Sequence, residues 1–257
     1  MTALTAALSM LWIMEKPAAA TEAAPGFARV AVASNFTATA QDLAEAFAAE
    51  TGHEVVLSFG ATGQLYAQIT QGAPFDLFLA ADTARPHRLV EDGLARKEHI
   101  MLYAHGRLAL ISADEKPLGP TTLAEGGFRT LAVANPRTAP YGAAAEQAIA
   151  ALGLTDALAP KLVRGANIGQ TYQFVASGAA ELGLVAWAQV SKDPESDYWL
   201  VPEALHAPIE QGAVLLDRGA ENPAARAFFE FLQTDAARAV IAQSGYGAPP
   251  AGAEGAQ

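Results

Sequence analysis

Twice within its first seventy residues the chain passes from an apolar strand through an uncharged elbow of hydroxyl and amide side chains into a helix. The first passage runs from Ala28 to Ala33, turns at Ser34, Asn35, Phe36 and Thr37, and continues as a helix whose buried stripe carries Leu43 and Phe47. The second runs from Glu54 to Phe59, turns at Gly60, Ala61, Thr62 and Gly63, and continues as a helix carrying Leu65 and Ile69. Strands alternating with helices predict a mostly parallel sheet. The helix starts then gather at the carboxyl edge of that sheet, where unpaired first-turn N–H groups and the helix dipole favour an anion.

The pattern continues along the chain. A third strand is predicted over Phe75 to Ala80, leading to Asp82 and a helix around Arg88 to Asp92, and Leu102 to Ile111 reads as one apolar strand. A polar stretch from Asp114 to Thr122 contains Pro117 and Pro120 and marks a turn. Two more units follow. Leu131 to Ala134 leads through Thr138, Ala139, Pro140, Tyr141 and Gly142 into a helix that reaches Leu152, and the elbow Gly165 to Gly169 precedes a helix over Thr171 to Ala176 and a strand over Leu182 to Trp187. Strands at Tyr198 to Val201 and Ala213 to Leu216, then helices at Pro223 to Gln233 and Asp235 to Gln243, return the chain toward its first half. The predicted organisation is α/β with two lobes: residues 27–104 and 207–248 form a discontinuous first lobe, 105–206 the second, and 249–257 a flexible tail.

Formal charge narrows the partners. With 27 acidic against 16 basic residues the chain carries -11 at pH 7, which argues against nucleic acid or an anionic membrane, since both need a basic footprint. Any anion site must therefore be local. The same charge predicts a soluble monomer. The absence of Cys removes disulfides, thiolate chemistry and cysteine metal sites. Residues 1–26 stand apart: Ala3 to Met14 is apolar, Ala18 to Ala24 is rich in small residues, and no basic residue precedes the apolar stretch. That apolar length suits the core of an export signal and is too short to span a bilayer, so export is expected, with a floppy terminus as the other reading.

Catalytic patterns are scarce. The chain has no G-x-S-x-G, no P-loop, no H-E-x-x-H and no G-x-G-x-x-G. Its His residues, at 53, 87, 99, 105 and 206, lack metal-ligand spacing. Asp76 and Asp82 read as a loop-orienting carboxylate and a helix cap rather than an acid/base pair. Asn35-Phe36-Thr37 matches a glycosylation sequon by chance. A hydrolase or transferase with an anion-binding cleft stays open as a different class of reading, because fold alone does not fix function.

Four segments together carry a family resemblance: Ala33-Ser34-Asn35-Phe36-Thr37, Ser58-Phe59-Gly60-Ala61-Thr62-Gly63, Gly72-Ala73-Pro74-Phe75-Asp76-Leu77-Phe78 and Leu182-Gly183-Leu184-Val185. In their order and over roughly Arg29 to Gly247 the chain resembles the periplasmic molybdate-binding proteins of ABC importers. The resemblance implies a class II solute-binding fold with a tetrahedral dianion, molybdate or tungstate, between the lobes. It also implies a periplasmic location, delivery to an ABC permease in the inner membrane, no cofactor beyond the ligand and no enzymatic activity. By position, the ligand contacts it implies are Ser34 and Asn35 from the first elbow, Thr62 from the second, and Tyr141 and Ile168 from the second lobe. Any molybdenum would be held only as the oxyanion. One position departs from the pattern: Ala186 stands where many relatives carry a Tyr, with Trp187 beside it. Sulfate or another oxyanion remains the alternative ligand.

Neutral donors suit a fully deprotonated oxyanion, because a protonated one would bring an O–H that finds no acceptor. Discrimination between molybdate and sulfate, which offer the same acceptor chemistry, must then rest on cavity size.

Overall fold

The computed structural model describes residues 26–114, 118–193 and 197–248. The segment read as an export signal, apart from Gly26, and the tail 249–257 lie outside the described residues. No helix among the described residues is long and apolar enough to cross a membrane.

Ten strands make two five-stranded sheets. The first is built from β1 (Phe27–Ala33), β2 (Glu54–Gly60), β3 (Leu77–Leu79), β4 (Ala95–Gly106) and β10 (Ile209–Leu216), in the order β2-β1-β3-β10-β4. The second is built from β5 (Leu108–Ser112), β6 (Leu131–Ala134), β7 (Leu162–Gly165), β8 (Leu182–Ala186) and β9 (Tyr198–Leu200), in the order β7-β6-β8-β5-β9. In each sheet three neighbouring strands run parallel, and a single strand, β10 or β5, runs antiparallel to both its neighbours. Four of five strands therefore point the same way, as an alternation of strand and helix requires.

The apolar run expected as one strand over Leu102 to Ile111 is divided between the sheets. Its first part ends β4 at Gly106, Arg107 intervenes, and Leu108 opens β5. Periodicity does not see this break, because both parts are buried strand of the same composition. The chain crosses back between Leu200 and Ile209.

Helices cover the sheets. The first sheet carries α1 (Thr37–Thr51), α2 (Thr62–Thr70) and α3 (Ala84–Glu91). The second carries α4 (Pro120–Glu125), α5 (Pro140–Ala151), α6 (Thr155–Leu158) and α7 (Ile168–Ala176), and α8 (Asp217–Ala220), α9 (Pro223–Phe231) and α10 (Asp235–Gln243) close the chain. Leu43 and Phe47 of α1 are fully buried in one cluster with Phe228, Phe231 and Ile241, so the last two helices complete the core of the first lobe. Burying a side chain of this size contributes about 1.5–3 kcal/mol. The helix expected around Arg88 to Asp92 begins earlier, at Ala84, with Thr83 rather than Asp82 at its N-cap, and Asp82, one residue before, accepts from the first-turn N–H of Arg85 at 3.0 Å. Asp76 accepts from the Arg29 main chain at 2.8 Å and from Asn222 at 3.3 Å, which ties β1 to the start of α9.

Candidate functional site

Four helical starts converge where the lobes face each other. They are the single 3-10 turn Ser34–Phe36 that leads into α1, and the first turns of α2, α5 and α7. No side chain caps the 3-10 turn, α2 or α5, whereas Asn167 caps α7 by accepting from the Gln170 N–H. First-turn N–H groups have no acceptor within their own helix. Those of Asn35, Thr62, Tyr141 and Ile168 stand in such positions.

Ser34, Asn35, Thr62, Tyr141 and Ile168, five residues that span 135 positions, line one cavity together with Gly60, Ala61, Ala81 and Pro140. No charged side chain lines it. The lobes close tightly over it, so that little open space remains between these residues.

Its two hydroxyls are oriented by what they accept. Ser34 Oγ accepts from the Gly169 N–H at 3.3 Å, and Thr62 Oγ1 accepts from the Ala81 N–H at 3.2 Å. Each hydroxyl thus meets a donor and keeps its own proton for another acceptor. Neither is bonded to a base that would make it a nucleophile.

Below the cavity lies a buried polar cluster that sequence reasoning missed. Gln211, fully buried in β10, accepts from Asn35 Nδ2 at 2.7 Å and from the Tyr103 hydroxyl at 3.2 Å, and its own Nε2 reaches the Tyr141 hydroxyl at 3.5 Å. Tyr246 donates to the Asn35 carbonyl at 2.8 Å and accepts from Asn35 Nδ2 at 3.1 Å. Phe36 packs edge-on against Tyr103 and Tyr246, with ring centroids 4.9 and 5.1 Å apart. Burial holds the Tyr103, Tyr141 and Tyr246 phenols well above the ordinary tyrosine pKa, so the cluster is neutral. The Tyr141 side chain is buried, and its phenol reaches across from α5 to β10. Gly106 makes room for it, since a β-carbon there would overlap the Tyr141 hydroxyl.

Ala186, the position that departs from the family pattern, is fully buried at the end of β8 and does not line the cavity. Trp187 next to it stacks under the Arg107 guanidinium, 5.3 Å from the ring centroid. Among the described residues, no three His, Asp or Glu gather as a metal-ion cluster.

The lobes touch around the cavity. The Gly63 N–H donates to the Thr138 carbonyl at 2.8 Å, Lys192 pairs with Asp42 at 2.7 Å, and Ser191 Oγ donates to the Ser244 carbonyl at 3.1 Å. At Gly63 the approach is so close that a β-carbon would lie 3.1 Å from Thr138 Cα. Two α/β lobes, joined by crossing segments and meeting over an uncharged cavity, define the architecture of a two-lobed binding protein.

Comparison with known proteins agrees. Residues 28–247 match the family model described as bacterial extracellular solute-binding protein, and the chain belongs to that family. It is 48% identical over 224 residues to the molybdate-binding protein ModA of Azotobacter vinelandii, covering 85% of this chain and 89% of that one. It is 43% identical over 241 residues to the molybdate-binding protein ModA of Rhodobacter capsulatus, covering 93% and 94%. Among solved structures, the Azotobacter vinelandii periplasmic molybdate-binding protein superposes with a TM-score of 0.83 at 38% identity, covering 86% of this chain and 99% of that one.

Proposed function

We propose that this protein is the molybdate-binding component of an ABC importer, that it takes tungstate by the same contacts, and that it delivers the oxyanion to an inner-membrane permease. The observation that carries the reading is the cavity itself: five donor residues from four helical starts, in both lobes, around a space with no charged side chain. The identity to molybdate-binding relatives across most of the chain supports the choice of ligand.

In this reading the main-chain N–H groups of Asn35, Thr62, Tyr141 and Ile168 and the hydroxyls of Ser34 and Thr62 donate to the oxyanion. Asn35 adds a further donor. The Oδ1 end of its amide is buried without a partner, and the two ends of an amide exchange by a half-turn. A half-turn of Asn35 and Gln211 together keeps their mutual bond, makes the Tyr141 phenol the donor to Gln211, gives up the Asn35 amide's bond to Tyr246 and puts an NH2 at the unpartnered end. About seven such bonds to a charged ligand, at roughly 1.5–3 kcal/mol each, less desolvation and the cost of closure, leave on the order of 8–12 kcal/mol, which is micromolar to nanomolar binding.

The protein acts without turnover, since both cavity hydroxyls accept from N–H donors instead of donating to a base. It works as a periplasmic monomer with no cofactor beyond its ligand and no nucleic-acid partner, and its lobes divide at Arg107, two residues beyond the expected boundary, and again before Ile209. Small-angle scattering with and without molybdate tests closure: compaction on binding is the expected result, and an unchanged radius would refute it.

A further inference from the structure

A second cavity, of about 360 Å³, lies on the other side of the contact that closes the first. Three arginines line it, Arg85 and Arg88 from the first lobe and Arg137 from the second, with Tyr66, Gly63 and Thr138. No carboxylate lines it, although the chain as a whole carries -11. Two acids bonded to its lining residues are thereby engaged: Asp82 pairs with Arg85, and Asp92 accepts from the Tyr66 hydroxyl at 2.7 Å. Arg85 also donates to the Arg137 carbonyl at 3.3 Å, so it serves as a clamp between lobes. The guanidinia of Arg88 and Arg137 are exposed and are the charges left for a ligand.

The two cavities share a wall. Thr62 and Ala139 belong to the inner residues, and their neighbours Gly63 and Thr138 line the outer cavity. The Gly63 to Thr138 hydrogen bond stands between them and breaks whenever the lobes part. From this juxtaposition we infer that the arginine-lined cavity is an entrance subsite, which captures a small oxyanion dianion from solution and passes it to the neutral inner cavity as the lobes close. It answers a need that the inner cavity cannot meet. Uncharged donors exert little attraction at a distance, the overall charge repels a dianion, and a local cationic patch at a cleft raises association rates by about 10- to 1,000-fold. Once the Gly63 to Thr138 contact has formed, the arginines stand outside it and touch no part of the ligand, but their field still acts on the bound dianion as it does at the entrance.

The inference rests on the molybdate reading, and its test separates the two. Association and dissociation of molybdate are followed by stopped-flow tryptophan fluorescence, with calorimetry for the equilibrium constant, on the wild type, on R88Q/R137Q and on R96Q/K97Q. The last pair removes the same charge from exposed positions of β4 that line neither cavity. At low salt the association rate of R88Q/R137Q is expected to fall about tenfold with a smaller change in dissociation, and R96Q/K97Q to stay close to the wild type. At 1 M salt, where the screening length is about 3 Å, the difference should vanish. Equal association rates for the two double variants, or a loss confined to dissociation, would overturn the entrance subsite while leaving the molybdate reading intact. A wild type that does not bind molybdate would overturn the reading itself.

Discussion

Ser34 Oγ, at the end of β1, accepts the main-chain N–H of Gly169, in the first turn of α7, at 3.3 Å across the cleft. One hydroxyl thereby joins the two lobes and still holds a proton for the ligand between them. Ser34→Ala removes both roles. A hydrogen bond to a charged group is worth about 1.5–3 kcal/mol, so molybdate affinity should fall by about ten- to a hundredfold in calorimetry, with little change in thermal stability because the position is only partly buried.

Thr62 differs from Ser34 in being buried along with its partner, the Ala81 N–H. Thr62→Val keeps the shape and strands that N–H, which costs about 1–3 kcal/mol. Both thermal stability and affinity should drop, and Thr62→Ser should restore both. Loss of affinity without loss of stability would show that the Ala81 contact does not form.

Tyr141→Phe separates the main chain of this residue from its side chain. The phenol's partner is the Gln211 amide, one end of which the substitution leaves buried and unpaired, so denaturant unfolding should report a loss of about 1–3 kcal/mol. The Tyr141 N–H remains, and molybdate affinity should change far less than in Ser34→Ala.

The same cluster sets the alkaline limit. Tyr103, Tyr141 and Tyr246 are held protonated by burial, with folded pKa values above the ordinary one. Their contribution to stability is complete below about pH 10, the unfolded tyrosine value, and is lost as pH rises from there toward the folded values, because only the unfolded chain releases these protons. An ultraviolet titration of tyrosinate should show these three ionising only as the protein unfolds.

How much of this was legible in the sequence depends on distance along the chain. The elbows were, because a strand, a turn and a helix leave a local change of period: β6 and α10 fall on the predicted residues, and the five expected ligand positions do share a cavity. The buried cluster was not. Asn35 meets Gln211 at a separation of 176 residues and Tyr246 at 211, and no local pattern encodes such pairs. A faint signal was present at Gln211, an amide just before the apolar run Ala213 to Leu216, yet the strand is predicted to begin at Ala213, which excludes it. The arginine cavity escaped for the same reason, since Arg88 and Arg137 lie in different lobes and come together only through the closing contact.

An uncharged cavity built from helical starts is expected to hold a fully deprotonated tetrahedral oxyanion of molybdate's size. Calorimetric titration of the ligand-stripped protein with molybdate, alone and then in excess sulfate, tests it most directly. Tight one-to-one binding that survives sulfate is the expected result. No heat with molybdate, or binding abolished by sulfate, would contradict it.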